Sequence, residues 1–483
     1  MNARYLNELE KQLQRLEAKK CDFLTELDRI ETEIKCVKAE HGRLINHSAD
    51  IYRLPNEILV YIFKTGQCEI GPGKKFEVLV SHVSSHWRAV ALASPSLWTN
   101  ISRTMSPNCT GKLGVEVYLE RSKACPLDIS FHLDSSEEAD DATLISLIVA
   151  HVGRWRQVFI HLWDNNSYER ILQGIRHSSA PLLEHFSLSP YTPFEVHSND
   201  NPQIFTGGAP RLTFVRLTGI NIHHMQPPFG AVTTLHLEDL RTEMFVDYVQ
   251  FSDIIHSSPV LVNLSLYGLV INNWPMGFQP PLPIPTLRSL RVQGSSELVY
   301  NLMSGISAPQ LDSLFVADCA DDEGTTRPWD IAPDRYPTPP KFPHLRTLTF
   351  TDCYLPSETC RKVFRAFPTI THFALLGSFS IDILKALGDD CTLPSDLPWA
   401  ELHTLTLEKL ESAQEHLLCT SVLAGRKQLG RPITTLRLES QLKLKLKRRG
   451  KLEWVEKVVE VVKWSGLERW PPGLDFEDVH DPF

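Results

Sequence analysis

Near the start of the chain, apolar residues recur at alternating spacings of three and four. They are Leu6, Leu9, Leu13, Leu16, Phe23, Leu27, Ile30, Ile34 and Val37, with Lys20 breaking the seam. This periodicity holds one narrow apolar stripe on a helix and leaves Glu, Lys and Arg for the rest of its surface. It predicts a coiled-coil helix over residues 1–46 that pairs with a second copy or with a partner's helix. An amphipathic helix folded back on its own chain has the same period.

The pattern changes over residues 47–104, which predict a small all-helical module. Leu54-Pro55-Asn56-Glu57 opens a helix, with proline at a position where its missing N–H costs nothing and an acid facing the helix dipole. Ile58, Leu59, Ile62 and Phe63 follow on one face, and the stretch from Gly66 to Lys75 is expected to break the helix. A second periodic run then takes in Phe76, Leu79, Val80, Val83, Trp87, Val90 and Ala91, ending at Ser94-Pro95 before Leu97-Trp98.

From residue 105 to 465 the helical period gives way to a recurring L-x-x-L-x-L unit. It occurs at Leu183–Leu188, Leu212–Leu217, Val232–Leu237, Leu261–Leu266, Leu287–Val292, Leu311–Val316, Leu345–Phe350, Ile370–Leu375, Leu402–Leu407 and Ile433–Leu438. Spacings of roughly 20–34 residues fall in the range of leucine-rich repeats with loop insertions. Several units extend to an apolar or cysteine residue three positions on: Ile220, Leu240, Leu269, Cys319, Cys353 and Leu410. Stacked units predict a parallel sheet with paired leucines inward and alternate residues outward. The outward row is Arg216, His236, Ser265, Arg291, Phe315, Thr349, Thr406 and Arg437, with Tyr267 in the next row. Of these, Arg216, His236, Tyr267, Arg291, Phe315 and Arg437 are the candidate target-binding residues, and Tyr267 and Phe315 are expected to be exposed. The mixed charges suit a protein partner, and no single-sign track for nucleic acid is present. The fold class expected is therefore an α+β or α/β repeat: coiled-coil helix, helical module, and irregular leucine-rich-repeat solenoid with a parallel sheet.

Further strands are predicted at 126–133 and 155–162, with a helix at 144–152 between them. Two proline-rich insertions, Trp274 to Pro285 and Arg327 to Pro343, are expected to be surface loops or disorder. The run Leu442 to Lys451 alternates leucine with lysine, which predicts an edge strand guarded by charge; Lys447 to Lys451 also fits an import patch. Residues 466–483 form an acidic tail.

The 483 residues are 42% hydrophobic and 22% charged, with a formal net charge of −9, a balance expected of folded protein with no polyanion partner. No bilayer-length apolar stretch or secretory leader is read, so a cytoplasmic or nuclear protein off the membrane is expected. The 10 cysteines lack C-x-x-C pairs, which fits a reducing compartment. Five N-x-S/T triplets, at Asn46, Asn100, Asn108, Asn165 and Asn263, are taken as chance matches.

No catalytic constellation is found, and neither an enzyme activity, a cofactor nor a metal is expected. Gly71-Pro72-Gly73-Lys74 lacks the order and preceding strand of a phosphate loop. His223-His224 lacks further ligands, and Asp318, Asp321, Asp322 and Glu323 lack a calcium-loop spacing. Cys319 and Cys353 occupy the buried repeat position and are expected to be core fillers.

Three blocks in residues 47–104 carry a resemblance. L-P-x-E-I-L-x-x-I-F at Leu54 to Phe63, V-S-x-x-W-R at Val83 to Arg88, and S-P-x-L-W at Ser94 to Trp98 together resemble the F-box, in particular the F-box-like module common in fungal proteins. The insert between the first two helices is longer than in many members. With the repeats, the resemblance covers roughly Ser48 to Ser465. It implies docking to a Skp-type adaptor through Leu54, Pro55, Glu57, Ile58, Leu59, Ile62, Phe63, Val83, Trp87, Leu97 and Trp98. Within that set, Trp87 and Val83 are the first expected to hold the module's own helices together. The function implied is the substrate receptor of an SCF-type cullin-RING ubiquitin ligase, with an unknown target protein on the repeats. An F-box protein acting outside a ligase, and a coiled-coil interaction scaffold, are the alternatives.

Overall fold

The structure, a computed structural model, describes residues 2–69, 75–103, 112–133, 138–162, 165–190, 203–218, 225–238, 246–268, 271–275, 280–319, 340–388 and 397–466. It is a mixed α/β protein with a long N-terminal helix and a large parallel sheet. Two compact units make it up: Met1–Ile101 with Gly114–Cys125, and Ser102–Leu113 with Pro126–Phe483.

The first unit opens with α1 (Asn2–Ser48), a 47-residue helix, about 70 Å long at 1.5 Å per residue. Next come α2 (Asn56–Glu69), α3 (Phe76–Ser81) and α4 (Ser85–Ala93). The expected break falls within 66–75: α2 runs on through Gly66 and ends at Glu69. A Cβ at Gly66 would lie 2.4 Å from the Phe76 ring, so the glycine lets the ring close onto the helix. Gln67 then donates from Nε2 to Glu77 Oε2 (2.8 Å) and to the Leu97 carbonyl (2.9 Å), tying the helix end to its neighbours. The second periodic run is two helices, because Ser84 caps α4 by accepting from the Trp87 N–H at 3.1 Å. A further helix, α5 (Lys112–Arg121), falls where the repeats were expected to begin; its residues from Gly114 on belong to this first unit.

A single 14-stranded sheet runs in chain order, and its strands from the second on belong to the second unit. Its strands are β1 (Asn100–Arg103), β2 (Leu127–Leu133), β3 (Trp155–Leu162), β4 (His185–Pro190), β5 (Phe214–Thr218), β6 (Thr234–Glu238) and β7 (Asn263–Tyr267), followed by β8 (Ser289–Gln293), β9 (Ser313–Ala317), β10 (Thr347–Thr351), β11 (His372–Leu376), β12 (Thr404–Leu407), β13 (Thr435–Glu439) and β14 (Glu460–Trp464). Each of the ten L-x-x-L-x-L units supplies one strand. From β2 onward every pairing is parallel. The expected alternation follows: Leu264, Leu290, Leu314, Leu348, Leu405 and Leu436 form one fully buried lateral row, each worth roughly 1.5–3 kcal/mol in transfer from water.

Helices connect several strands: α6 (Glu138–Val149), α7 (Asn165–Arg176), α8 (Tyr248–Ser257), α9 (Ser296–Gly305), α10 (Ser357–Ala366) and α11 (Ile381–Gly388). After β12, α12 (Ser412–Leu417) continues through a π-helical stretch at Leu418–Gly425. Among the described residues no helix is long and apolar enough to cross a membrane.

The leucine–lysine run is not an edge strand. Ser440–Arg448 is helical, with Leu442 and Leu446 buried four residues apart. Glu439 starts the helix by accepting from the Leu442 N–H at 3.2 Å. Helical spacing places both buried leucines on one face and turns Leu444 outward, whereas a strand would set Leu442, Leu444 and Leu446 on the same face. The sheet instead ends at β14, for which no expectation was made.

The first proline-rich insertion is anchored where it is described. Leu282–Pro283 pairs in parallel with Ile306–Ser307, Leu282 and Ile284 are buried, and the Trp274 ring lies 5.1 Å from that of Tyr248. Most of the second, residues 327–339, lies outside the described residues. So do the extension positions Ile220, Leu240 and Leu269, residues 71–74, His223, His224, Asp321, Asp322, Glu323 and the tail from residue 467.

Candidate functional site

Burial divides the residues of the helical module into two sets. Leu59, Phe63, Leu97 and Trp98 have at most 1% of their surface exposed. They build the interior of the first unit, which corrects their assignment as docking residues: a side chain already enclosed offers no surface to a partner. Trp98 sits at the centre. Its Nε1 donates to the Ala91 carbonyl at 2.9 Å, its ring meets Tyr118 edge-on at 5.2 Å, and the Arg121 guanidinium stacks over it at 4.3 Å. The Tyr118 hydroxyl donates to Glu77, and burial together with that carboxylate pushes the phenol far above its ordinary value.

The second set faces out. Ile58 is 47% exposed, Ile62 38% and Val83 56%. Val83 therefore does not hold the helices together as expected. Trp87 does so in part, half-buried with its ring 5.0 Å from that of Phe63. Pro55 and Glu57 are exposed and Leu54 is half-buried. Tyr61, which the periodic pattern missed, is exposed too, as is Leu79 of the second periodic run. Helical spacing puts Ile58, Tyr61 and Ile62 on one stripe of α2.

Along α1, all nine seam residues from Leu6 to Val37 are exposed, and Leu24, Leu44 and Ile45 join them. The helix forms as expected and its apolar stripe is uncovered over its whole length. Folding back onto the chain, the other possibility left by the periodicity, is not what this exposure shows.

On the sheet, the expected outward row is in register. Arg216, His236, Ser265, Arg291, Phe315 and Thr349 pair laterally from β5 to β10, and the row continues through Ala374, Thr406 and Arg437. Its exposure was overestimated. Arg216, His236, Arg291 and Phe315 are buried, because neighbours one strand apart, about 4.8 Å, cover one another. Arg216 pairs with Glu238 at 2.9 Å, His236 approaches the same carboxylate at 3.4 Å, and the Arg291 guanidinium lies 5.2 Å from the Phe315 ring centre. Burial works against the charge on Glu238, but hydrogen bonds and charge from His236 and Arg216 outweigh it and hold the carboxyl below its ordinary value. Tyr267 is half-buried rather than exposed, and Arg437 is exposed.

A cavity of about 730 Å³ opens on this face at the carboxyl ends of β8 to β14, where no site residue was expected apart from Phe315. Asp318, Asp352, Glu408 and Glu439 stand in its wall with Lys463, over Phe315 and Trp464. Its lining includes the small side chains of Ala317 and Thr351, paired in register on β9 and β10, with Leu376 next to them on β11.

Cys319 and Cys353 are buried, and burial pushes the Cys353 thiol far above its ordinary value. Neither is poised as a nucleophile. Among the described residues no group of three or more His, Cys, Asp or Glu side chains could hold a metal ion.

A scan against protein-family models and a search of curated proteins each found no match to this chain.

Proposed function

We propose that this chain is an F-box-type adaptor protein: a substrate receptor that docks on a Skp-type adaptor of a cullin-RING ubiquitin ligase and holds a target protein on a leucine-rich-repeat solenoid. The observation that carries the reading is the exposure of Ile58, Ile62 and Val83 in a unit whose interior is already filled by Leu59, Phe63 and Trp98. Apolar side chains left in water on a small helical unit mark a protein-contact surface. Their positions coincide with the blocks that resemble the F-box. Ligation itself would be performed by other subunits, with this chain contributing proximity between target and conjugating enzyme.

The test is co-purification with a Skp-type adaptor. Ile58→Asp/Ile62→Asp/Val83→Asp is expected to weaken binding at least about 100-fold, since each charge replaces a desolvated anchor worth roughly 1–2 kcal/mol. Leu444→Asp, an exposed position in the second unit, is expected to bind as the wild type does. A wild-type protein that captures no adaptor overturns the reading. Recovery of a cullin with ubiquitylated co-precipitates separates a ligase subunit from an F-box protein acting outside one.

The uncovered stripe of α1 favours a second role as a coiled-coil scaffold, with a second copy as partner. The full chain is expected to sediment as a dimer at micromolar concentration, and Leu13→Asp/Leu27→Asp to sediment as a monomer with the sheet intact. A monomeric wild type removes the homodimer.

A further inference from the structure

We propose that the hollow at the carboxyl ends of β8 to β14 binds a basic, lysine- or arginine-bearing segment of a protein partner; this rests on reading the sheet as the target-holding surface. Its volume of about 730 Å³ lies within the roughly 300–1,000 Å³ typical of ligand sites. Four carboxylates line it, Asp318, Asp352, Glu408 and Glu439, against one ammonium group, Lys463. Phe315, Leu376 and Trp464 supply apolar wall between the charges. A long basic side chain matches that combination, because its aliphatic stem packs on apolar surface while its charged head reaches carboxylates. An anionic ligand meets the wrong sign. A metal ion is disfavoured, since the carboxylates do not converge on one point.

The acids also sit where the backbone favours another residue. The position after the strand has positive φ at Gly268, Gly294 and Gly377, following β7, β8 and β11. After β9 and β10 the same position holds Asp318 (φ 52°) and Asp352 (φ 50°). Glycine adopts this conformation freely and other residues at a cost. The two turns bordering the hollow thus carry a carboxylate in place of the residue that their neighbours use. Part of each acid's capacity is spent internally. Asp352 accepts from the Ser378 N–H at 2.7 Å, Asp318 accepts from Gln293, and Glu408 accepts from the Gly377 N–H at 2.8 Å and lies 3.7 Å from the exposed Lys409 ammonium. Glu439 caps the helix that follows it, with the Leu442 N–H at 3.2 Å. A carboxylate offers about four lone-pair sites, so each can accept a further donor.

The test uses the full-length protein and a fluorescein-labelled octapeptide of alternating arginine and serine, with an alternating glutamate–serine octapeptide as control, read by anisotropy. The basic peptide is expected to bind and the acidic one not, with binding lost at 0.5 M salt. Asp318→Gly is expected to weaken binding about fivefold without lowering the thermal midpoint, since glycine occupies the equivalent turns. Glu169→Gln, an exposed acid on α7 outside the hollow, is expected to change nothing. Unaltered binding by Asp318→Gly, or equal weakening by Glu169→Gln, overturns the proposal, the latter by showing attraction to overall charge. The adaptor-docking variant Ile58→Asp/Ile62→Asp/Val83→Asp is expected to bind the peptide normally, so the two readings fail independently.

Discussion

Trp98→Ala is expected to unfold the helical unit and to abolish any binding that depends on it. Removing a fully buried tryptophan costs roughly 3–5 kcal/mol. Here the indole also satisfies the Ala91 carbonyl, packs against Tyr118 and underlies the Arg121 guanidinium. Small helical units have little stability in reserve: whole domains hold only about 5–15 kcal/mol. Trp98→Phe keeps an aromatic ring and loses chiefly the hydrogen bond, so it is expected to cost about 1–3 kcal/mol and leave the unit folded. Denaturation followed by far-UV circular dichroism, with limited proteolysis to locate the loss, checks the ordering. Equal stability of wild type and Trp98→Ala would contradict the packing described.

The second large effect is expected at Glu415. Its side chain is fully enclosed on α12 and faces three cations: Lys445 at 3.2 Å, Arg449 at 2.9 Å and Lys451 at 3.2 Å. Glu415→Ala leaves those cations around a void, and because each is itself a third or more exposed and can be hydrated, the loss is expected to be about 1.5–3 kcal/mol, the range of hydrogen bonds to a charged group. Burial opposes ionisation of Glu415, but the hydrogen bonds from Lys445, Lys451 and Arg449 prevail and hold the carboxyl below its ordinary value. The sign follows from linkage. A folded-state pKa depressed below the unfolded one means stability that is complete above the unfolded carboxyl's pKa, about 4.3, and is lost as pH falls through the folded value. Urea midpoints measured from pH 7 downward are therefore expected to fall less steeply for Glu415→Gln than for the wild type. Parallel pH profiles for the two would show that the cluster does not titrate as described.

Much of the sheet was legible because its signal is local and repeated. An apolar pair at Leu290 and Val292 with polar neighbours at Ser289, Arg291 and Gln293 states both strand and face, and the ten repetitions fix the parallel order. The ends were not legible: β1 and β14 carry no L-x-x-L-x-L unit. The run at 442–446 misled because leucine at every second position also places Leu442 and Leu446 four apart, and only the burial of those two decides for helix. Exposure was the weakest inference. Alternation says which way Arg216 and Phe315 point, but the covering of each by neighbours one strand away is a lateral relation that a single strand's sequence does not contain. The hollow escaped notice for the same reason, since its lining brings together Ala317, Thr351 and Leu376 from three neighbouring strands. In the helical module, Leu59 and Phe63 share a periodic stripe with Ile58 and Ile62, and one residue of rotation separates interior from surface.

The coincidence of strand order with chain order has a consequence for how such a chain can vary in length. Each strand from β3 to β13 bonds only to the strands immediately before and after it. Loss or duplication of one strand with its connector therefore removes or adds a single rung and leaves every other rung's pairing as it was. Lineages descended from such a chain can lengthen or shorten by whole rungs while the flanking rungs keep their faces. Contacts between chain neighbours also need little loop closure, so order can spread along the array from whichever rungs form first.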